Sequence, residues 1–205
     1  MDTVSVIIPA RDPVETYRRL VDSHGGLAAF PFASELIIQG GGGGAALARN
    51  NGARKSLGSI LLFTDDDSVL IQEAEWTPEP SVGLWLADSF TTTTSDEHTV
   101  QSCAQLALLI TFKNFMAGIG PFTAVRREFF EMVGGYQRTW LEDIDFSQRV
   151  KDAGASIGIA PFIVRVDRPF TPYGELMARF NRDVESPMDS DGPAIVLRRP
   201  GFPHG

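Results

Sequence analysis

Short apolar runs alternate with helix-forming segments over the first 67 residues. Three mainly apolar segments predict buried strands, at residues 4–8, 35–39 and 59–64. Helices are predicted between them, at residues 13–23 after an N-cap at Asp12 and at residues 45–57 after five glycines. This βαβαβ order is typical of a parallel sheet with helices on both faces.

The pattern loosens after residue 78. Further strands are predicted at residues 82–87, 121–125, 156–160 and 162–166, and helices at 98–115, 127–133 and 142–153. Residues 88–95 are predicted to form a loop. We therefore expect one α/β domain over residues 1–185 with a mostly parallel sheet. Residues 186–205, rich in Pro, Gly and Asp, are expected to form a mobile tail or a lid.

Composition narrows the classes of function. Hydrophobic residues make up 43% of the chain, enough for a real core. The net charge of -8 argues against nucleic acid as a partner. A single cysteine excludes an internal disulfide and a multi-cysteine zinc site, and the three histidines are far apart in sequence. A bound metal is therefore expected to be a hard cation on carboxylates, Mg²⁺ or Mn²⁺.

No targeting or membrane-spanning segment is predicted. The first residues lack a basic region and a long apolar run, and the apolar stretch at 104–120 is broken by polar residues. We expect a soluble, cytoplasmic protein. The segment 104–117 is interpreted as core, with peripheral association of an interfacial helix with a membrane as the alternative.

Three adjacent aspartates, Asp65, Asp66 and Asp67, follow the third predicted strand. Ligands of such sheets bind outside the carboxyl ends of the strands. Neighbouring carboxylates repel one another unless a positive group neutralises them. In an extended conformation Asp65 and Asp67 point to the same side, so they are predicted to share a cation, or a metal and a ribose. The alternative is a solvated acidic turn.

A second acidic cluster, Glu142, Asp143 and Asp145, opens a predicted helix. The ordinary explanation is that acids stabilise a helix N-terminus and that Asp145 pairs with Arg149 one turn later. The preceding Gly134-Gly135-Tyr136 and Trp140 favour a second interpretation, a close approach of backbone to a ligand beside an aromatic surface. A carboxylate placed there is a candidate general base for an incoming hydroxyl.

An ordered set of motifs over residues 3–167 resembles family 2 glycosyltransferases. The matching segments are Val4-Ser5-Val6-Ile7-Ile8-Pro9, Ala48-Arg49-Asn50, Thr64-Asp65-Asp66-Asp67, Gly120-Pro121-Phe122-Thr123-Ala124-Val125-Arg126-Arg127, Gly134-Gly135-Tyr136, and Glu142-Asp143-Ile144-Asp145-Phe146 with Arg149. The resemblance implies the Rossmann-like, A-type nucleotide-diphosphosugar transferase fold. It also implies inverting transfer of a sugar, a hexose in the simplest case, to an acceptor hydroxyl with Mn²⁺ or Mg²⁺.

The resemblance also implies roles for individual residues. Those expected to face the donor are Pro9, Ala10, Arg11, Gln39, Arg49, Asp65, Asp66 and Gly120. Asp67 is expected to hold the metal, with Asp65 and Asp167 as further ligands. Asp143 is the implied base, with Glu142 as the competing candidate. Trp140, Gly118 and Phe122 are expected on the acceptor side. The acceptor stays open between a sugar, a lipid carrier, a growing polysaccharide and a protein.

Two positions depart from the family pattern. Members commonly carry an acidic segment after the second strand, and one of its aspartates contacts the nucleotide base. Here that position is Gln39, followed directly by glycines, so the identity of the donor base is open. A late histidine of the family is replaced by Val166-Asp167-Arg168, in which Asp167 is the candidate substitute ligand.

Two other functions remain as alternatives. The run Gly40–Gly44 lies between a strand and a helix, as in a dinucleotide-binding fingerprint, which is typical of an NAD(P)- or flavin-dependent oxidoreductase. The other alternative is a non-catalytic module that keeps the fold and binds a nucleotide sugar without reacting. The absence of Gly-Lys-Ser or Gly-Lys-Thr after the glycines excludes a phosphate-loop nucleotidase.

Overall fold

A parallel βαβαβ unit forms the first third of the molecule. The computed structural model describes residues 2–41, 43–92, 118, 121–139, 141–166, 178 and 191–203. The unit consists of β1 (Val4–Pro9), α1 (Pro13–His24), a 3₁₀ turn (Gly26–Ala29), β2 (Glu35–Gln39), α2 (Gly44–Lys55) and β3 (Ile60–Phe63). Asp12 caps α1 as predicted, because its carboxylate accepts the backbone N–H groups of Val14 and Glu15.

The remaining elements extend the sheet on both sides of this unit. They are β4 (Ser68–Gln72), β5 (Leu84–Thr92), β6 (Thr123–Arg126), α3 (Arg127–Met132), α4 (Glu142–Asp152), β7 (Ile157–Val166) and β8 (Ala194–Arg198). The strand order is β4-β7-β5-β6-β3-β1-β2-β8. The helix predicted at 98–115 and the alternative for 104–117 lie outside the described residues. Among the helices within them, none is long and apolar enough to cross a membrane.

The sheet is mixed, so the expectation of a mostly parallel sheet is not confirmed. Within the described ranges, β1 pairs in parallel with β2 and β3, and β5 with β7. The pairs β2–β8, β3–β6, β4–β7 and β5–β6 are antiparallel. The parallel prediction is correct for β1, β2 and β3, whose connections run through α1 and α2, because a helical crossover returns the chain in the same direction.

In the second half of the chain, two strands continue through positions where the sequence predicts an interruption. Residues 88–92 continue β5, where a loop was expected, and β7 runs through Pro161, where two short strands were expected. The register between β5 and β7 shifts between Ala87 and Ser89, opposite Pro161. Such an irregularity lets a sheet accommodate a residue that has no N–H to donate.

The C-terminal segment is part of the sheet, which corrects the expectation of a mobile tail or lid for its described residues. Strand β8 pairs antiparallel with β2, from Glu35–Arg198 to Gln39–Ala194. Arg198 donates to the fully buried Glu35 carboxylate at 2.9 Å. Arg199 donates to the backbone carbonyls of Phe30 and Ala33. The boundary of the catalytic domain at residue 185 stays a prediction.

Both faces of the central strands are buried, which explains their mainly apolar sequences. On β1, Val6 and Ile8 point to one core and Ile7 to the other, as the alternation along a strand requires. Helix α1 packs on the first face through Tyr17 and Leu20. Residues of α2 and α4 pack on the second face, so both helices approach the sheet from the same side.

Candidate functional site

The three aspartates form a turn between β3 and β4. β3 ends at Phe63, and the backbone N–H of Ser68 donates to the Asp65 carbonyl at 3.2 Å. The alternation of a strand therefore does not apply to these residues, and the premise that put Asp65 and Asp67 on one side is wrong. Asp66 and Asp67 line a cavity beside α1, whereas the Asp65 carboxylate contacts α2. The turn thus presents carboxylates in two directions.

Arg49 on α2 joins the aspartate turn to the start of α4. One guanidinium nitrogen lies 2.9 Å from Asp65 Oδ1, and the other terminal nitrogen lies 2.9 Å from Glu142 Oε1. The Arg49 side chain is only 3% exposed, while the two carboxylates are 23% and 27% exposed. A single buried cation is therefore shared between two carboxylates, one from each acidic cluster that the sequence identifies.

Tyr136 packs against this arginine. The guanidinium carbon of Arg49 lies 5.1 Å from the centre of the Tyr136 ring, a distance typical of cation–π contacts. Burial by itself lowers the pKa of Arg49, but the Asp65 and Glu142 carboxylates outweigh burial and raise it above the ordinary arginine value. Burial likewise raises the pKa of the Tyr136 phenol, although the Arg49 charge opposes that shift. Arg49 therefore stays charged and Tyr136 stays neutral at physiological pH.

Asn50, the next residue of α2, fixes the loop that carries Tyr136. Its amide nitrogen donates to the Tyr136 carbonyl at 2.8 Å, and its amide oxygen accepts the Tyr136 N–H at 2.8 Å. A Cβ at Gly135 would lie 2.6 Å from the Asn50 oxygen, and Gly135 has a φ of +72°. The close backbone approach predicted for Gly134-Gly135-Tyr136 is thus made to Asn50, within the protein.

A cavity of about 610 Å³ lies between α1, the 3₁₀ turn, β4 and β7. Asp66 and Asp67 lie on its wall together with Arg19 of α1 and Arg165 of β7. Arg19 is 3.5 Å from the Asp66 carboxylate. The rest of the lining includes apolar side chains such as Leu20, Phe30 and Leu70. A cavity of this size and mixed chemistry lies within the range of small-molecule sites, roughly 300–1,000 Å³.

The residues of the turn fit a divalent cation that is bound together with a phosphate ligand. In the described part of the chain, no three His, Cys, Asp or Glu side chains are grouped closely enough to hold a metal by themselves. Magnesium-type cations in phosphate sites, however, are commonly held by one or two carboxylates plus the phosphate oxygens of the substrate. Adjacent aspartates on the wall of a cavity supply that donor set.

Helix α4 begins at a strained residue. Leu141, its N-cap, has φ 59° and ψ 52°, the left-handed conformation that L-residues other than Gly, Asn and Asp seldom adopt. Its side chain cannot cap the helix, and the Asp143 carboxylate instead accepts the N–H of Ile144 at 2.9 Å. Glu142 reaches Arg49, and Asp145 pairs with Arg149 at 2.8 Å. The three acids at this helix start therefore have three different surroundings.

The predicted donor residues of the first two strands meet at the carboxyl edge of the sheet. Pro9 pairs with Gln39, and the Ala10 N–H donates to the Gln39 carbonyl at 2.9 Å. Arg11 is exposed next to them. The Gln39 side chain is fully buried and donates to the carbonyls of Gly40 and Gly192, while its oxygen accepts from Lys55. Contact with a nucleotide base would require these hydrogen bonds to break.

The glycine run after β2 is covered by the C-terminal segment. Gly40 donates to the Pro193 carbonyl at 2.8 Å, and a Cβ at Gly192 would lie 2.5 Å from the Gly40 oxygen. Lys55 forms a close ion pair with Asp191, and this hydrogen bond lowers the Asp191 pKa. The close packing at Gly40 is therefore made to the protein's own backbone.

The predicted acceptor-side residues divide into two kinds. Phe122 is fully buried and its ring lies 5.4 Å from that of Phe162, so it is a core residue and does not face an acceptor. Gly118 packs against α4, because a Cβ there would lie 2.5 Å from Ser147 Oγ. Ser147 Oγ in turn donates to the Asp143 carbonyl at 2.8 Å. Gly120, Trp140 and Asp167 lie outside the described residues.

Sequence reasoning missed two cationic residues of the site, Arg19 and Arg165, and the bridging contacts of Arg49. Thr16 and Arg19 stand three residues apart on α1, so both fall on one helix face, and this spacing was the available signal for Arg19. Arg165 had no comparable signal, because its approach to the turn depends on the pairing of β4 with β7.

Comparison with solved structures relates the fold to glycosyltransferases. No protein-family model matches the chain, and no curated protein matches it. The catalytic domain of Drosophila β1,4-galactosyltransferase 7, in complex with xylobiose, aligns at 18% identity with a TM-score of 0.53, over 78% of this chain and 65% of that one. The mannosyltransferase PcManGT of Pyrobaculum calidifontis, in complex with GDP-Man and Mn²⁺, aligns at 18% identity with a TM-score of 0.50, over 87% and 60%. The chain spans less than two thirds of either structure, and it shares the α/β fold of these A-type glycosyltransferases.

Proposed function

We propose that this protein transfers a sugar from a nucleotide-diphosphosugar to an acceptor hydroxyl, with inversion at the anomeric carbon. One observation carries the proposal. The aspartate turn at the carboxyl end of β3 is joined through the buried Arg49 to the acidic start of α4. This contact brings together a group that can bind a diphosphate through a cation and a group that can accept a proton. Donor activation and base catalysis require that pair of functions.

Donor binding is assigned to the aspartate turn. Asp67, on the cavity wall, would hold Mn²⁺ or Mg²⁺ together with the diphosphate oxygens. Asp65, whose Oδ1 is hydrogen-bonded to Arg49 on the other side of the turn, would contribute its Oδ2 as a second ligand, and Asp66 would contact the ribose or the diphosphate. When bound, such a cation would neutralise the negative charge that develops on the departing diphosphate. Asp167 is proposed as a further ligand, because it directly follows Val166, which pairs with Ser68 beside Asp67.

Asp143 is proposed as the base. Glu142, the competing candidate, holds Arg49 at 2.9 Å and is engaged in an ion pair. Asp143 stands next to it in the first turn of the same helix, and Gly118 packs one turn further along. The acceptor oxygen attacks the anomeric carbon as the bond from that carbon to the diphosphate oxygen breaks. The diphosphate leaves with the bonding electrons, and the acceptor proton passes to Asp143.

A single base suffices for this reaction. A nucleoside diphosphate is a good leaving group once its charge is neutralised, so no general acid is needed, in contrast to the paired carboxylates of glycoside hydrolysis. Direct displacement at one carbon inverts its configuration. We also propose a hexose as the transferred sugar, a saccharide or lipid-linked saccharide as the acceptor, and a cytoplasmic role in polysaccharide biosynthesis, which the family resemblance supports.

The proposal is tested by thermal unfolding with a panel of nucleoside diphosphates and nucleotide sugars in the presence of Mn²⁺. We expect Tm to rise with at least one nucleotide, because a ligand at 100 times its Kd stabilises the folded state by about 2.7 kcal/mol. The Asp67→Ala variant should lose most of the Mn²⁺-dependent part of the shift. A shift with a nicotinamide dinucleotide and none with any nucleoside diphosphate would support the oxidoreductase alternative instead.

Binding without transfer would point to the other alternative. A protein that binds a nucleotide sugar with Mn²⁺ but does not transfer to any acceptor, and does not slowly hydrolyse the donor, would fit a non-catalytic module. Donor hydrolysis is the sensitive readout, since water can replace an unidentified acceptor. We expect slow hydrolysis by the wild type and none by Asp143→Asn.

A further inference from the structure

We propose that Arg49 is a positioning residue that couples ligand binding at the aspartate turn to the start of α4. The resemblance implies that the Arg49 side chain lies near the nucleotide. The structure instead encloses its side chain at 3% exposure, with both terminal nitrogens on carboxylates of the protein. The inference rests on the proposed function, because the ligand is the cation and diphosphate of the donor.

The coupling starts from one cation that is shared between two carboxylates. Asp65 and Glu142 come from distant parts of the sequence, and each accepts one terminal nitrogen of the guanidinium at 2.9 Å. The planar fork of arginine suits this arrangement, since its nitrogens lie at fixed angles to one another. The two carboxylates therefore compete for the same positive charge.

The surroundings leave the guanidinium little freedom to find another partner. The ring of Tyr136 lies 5.1 Å from its central carbon, and Asn50 holds the backbone of Tyr136 on both sides. Moving the charge away from both carboxylates would leave it buried without compensation, which is strongly unfavourable. A change in the charge of one carboxylate is thus transmitted to the other through Arg49.

The direction of the effect follows from electrostatics. A divalent cation at the Asp65 carboxylate competes with Arg49 for that carboxylate and repels the guanidinium. Arg49 then interacts more strongly with Glu142, which fixes the first turn of α4 and with it the neighbouring Asp143. Donor binding therefore orders the base before the acceptor is engaged. By linkage, the state of Glu142 must also change the affinity at Asp65 by the same factor.

A stability cycle tests the bridge without any ligand. Asp65→Asn and Glu142→Gln are measured singly and together by urea denaturation. Either single variant leaves Arg49 one carboxylate, and the double variant leaves it none. We expect the double variant to raise the unfolding constant at least about 5-fold beyond the product of the single effects. In the control, Asp65→Asn is combined with Asp145→Asn, whose partner is Arg149, and the effects should multiply simply.

A binding measurement tests the coupling. Calorimetry with Mn²⁺ and the nucleoside diphosphate that stabilises the wild type compares Glu142→Gln with Asp145→Asn. Both variants remove one negative charge from the first turn of α4, but only Glu142 contacts Arg49. With Glu142 neutral, Arg49 is held by Asp65 alone and competes harder with the cation. We expect the Kd of Glu142→Gln to rise about 5-fold or more, and that of Asp145→Asn to stay within about 2-fold.

Each outcome has a defined meaning. Equal affinities in the two variants, whether both unchanged or both weakened, would overturn the coupling and leave the proposed function standing. If the effects of Asp65→Asn and Glu142→Gln on the unfolding constant simply multiply in the double variant, the two carboxylates do not share Arg49. If the wild type binds no nucleoside diphosphate with Mn²⁺, the proposed function fails and the coupling fails with it. Should Glu142→Gln not fold, Arg49→Lys, which keeps the charge without the fork, is expected to change the Kd by a similar factor.

Discussion

The aspartate turn and the start of α4 each carry three acidic residues, but they compensate the charge in different ways. At α4 much of the compensation is local. Asp145 pairs with Arg149 one turn along the same helix, and the helix N-terminus favours negative charge in its first turn. At the turn the compensating cations come from other elements, Arg49 from α2 and Arg19 from α1.

This difference separates acids with a structural explanation from acids that mark a ligand site. A locally compensated acid can be explained by the helix that contains it and needs no ligand. An acid whose cation is brought from a distant element by the fold marks a place where the tertiary structure concentrates charge. Glu142 is the exception within the α4 cluster, since its partner is Arg49, and it links the two regions.

The largest expected effect concerns Asp143, the proposed base. Asp143→Asn should lower the rate of sugar transfer by about 10²–10⁴-fold, because a positioned base contributes that much, while the donor Kd stays within about 2-fold. Rate measurements and calorimetry on the same preparation check both statements. Glu142→Gln should lower the rate less than Asp143→Asn does. If Asp143→Asn weakens donor binding as much as it lowers the transfer rate, Asp143 belongs to the donor-binding site and is not the base.

The next effect concerns the cation that joins the clusters. Arg49→Met should lower the free energy of unfolding by about 3 kcal/mol, near the low end for breaking a buried pair, because both carboxylates remain partly exposed. Arg18→Met is the control, since its pair with Glu15 is mostly exposed and contributes about 0.5 kcal/mol or less. If urea denaturation shows that Arg49→Met and Arg18→Met lower the free energy of unfolding equally, Arg49 does not join the two acidic clusters.

The smallest effect compares one aspartate from each cluster. Asp65→Asn should lower stability by about 1.5–2 kcal/mol, since it removes a charged partner from a buried guanidinium. Asp145→Asn should lower it by about 0.5–1 kcal/mol, since it removes a partly exposed helical pair and a favourable charge at the helix N-terminus. Thermal or urea unfolding distinguishes the two. A larger loss of unfolding free energy in Asp145→Asn than in Asp65→Asn would contradict the distinction between local and long-range charge compensation.

The sequence predicts well those parts of the fold that depend on local pattern. The strands β1 to β3 are apolar on both faces, and Asp12 with Pro13 defines the start of α1, so each was identified at nearly its observed bounds. β4 was missed, because its residues Ser68–Gln72 are only partly buried and their strand character comes from pairing with β7. β8 was missed for the same reason, since its partner β2 lies far away in sequence.

The candidate site shows the same limit. Both acidic clusters were found, because runs of carboxylates are visible without any structure. The role of Arg49 was not, since its two contacts require α2, the turn and α4 to be placed together. Phe122 was assigned to the acceptor side within a family motif, yet its position in the core depends on Phe162 of β7. Long-range packing is the information that a pattern of residue types lacks.

The pairing of β8 with β2 also bears on aggregation. Strand β2 has the sequence Glu35-Leu36-Ile37-Ile38-Gln39, a short apolar segment of high β-propensity, and β8 covers its outer edge. Removing residues 194–203 would leave that edge with unpaired N–H and C=O groups and would deprive the buried Glu35 of Arg198. An exposed apolar edge strand is a template for pairing with other chains. The C-terminal strand therefore protects the molecule against self-association through β2.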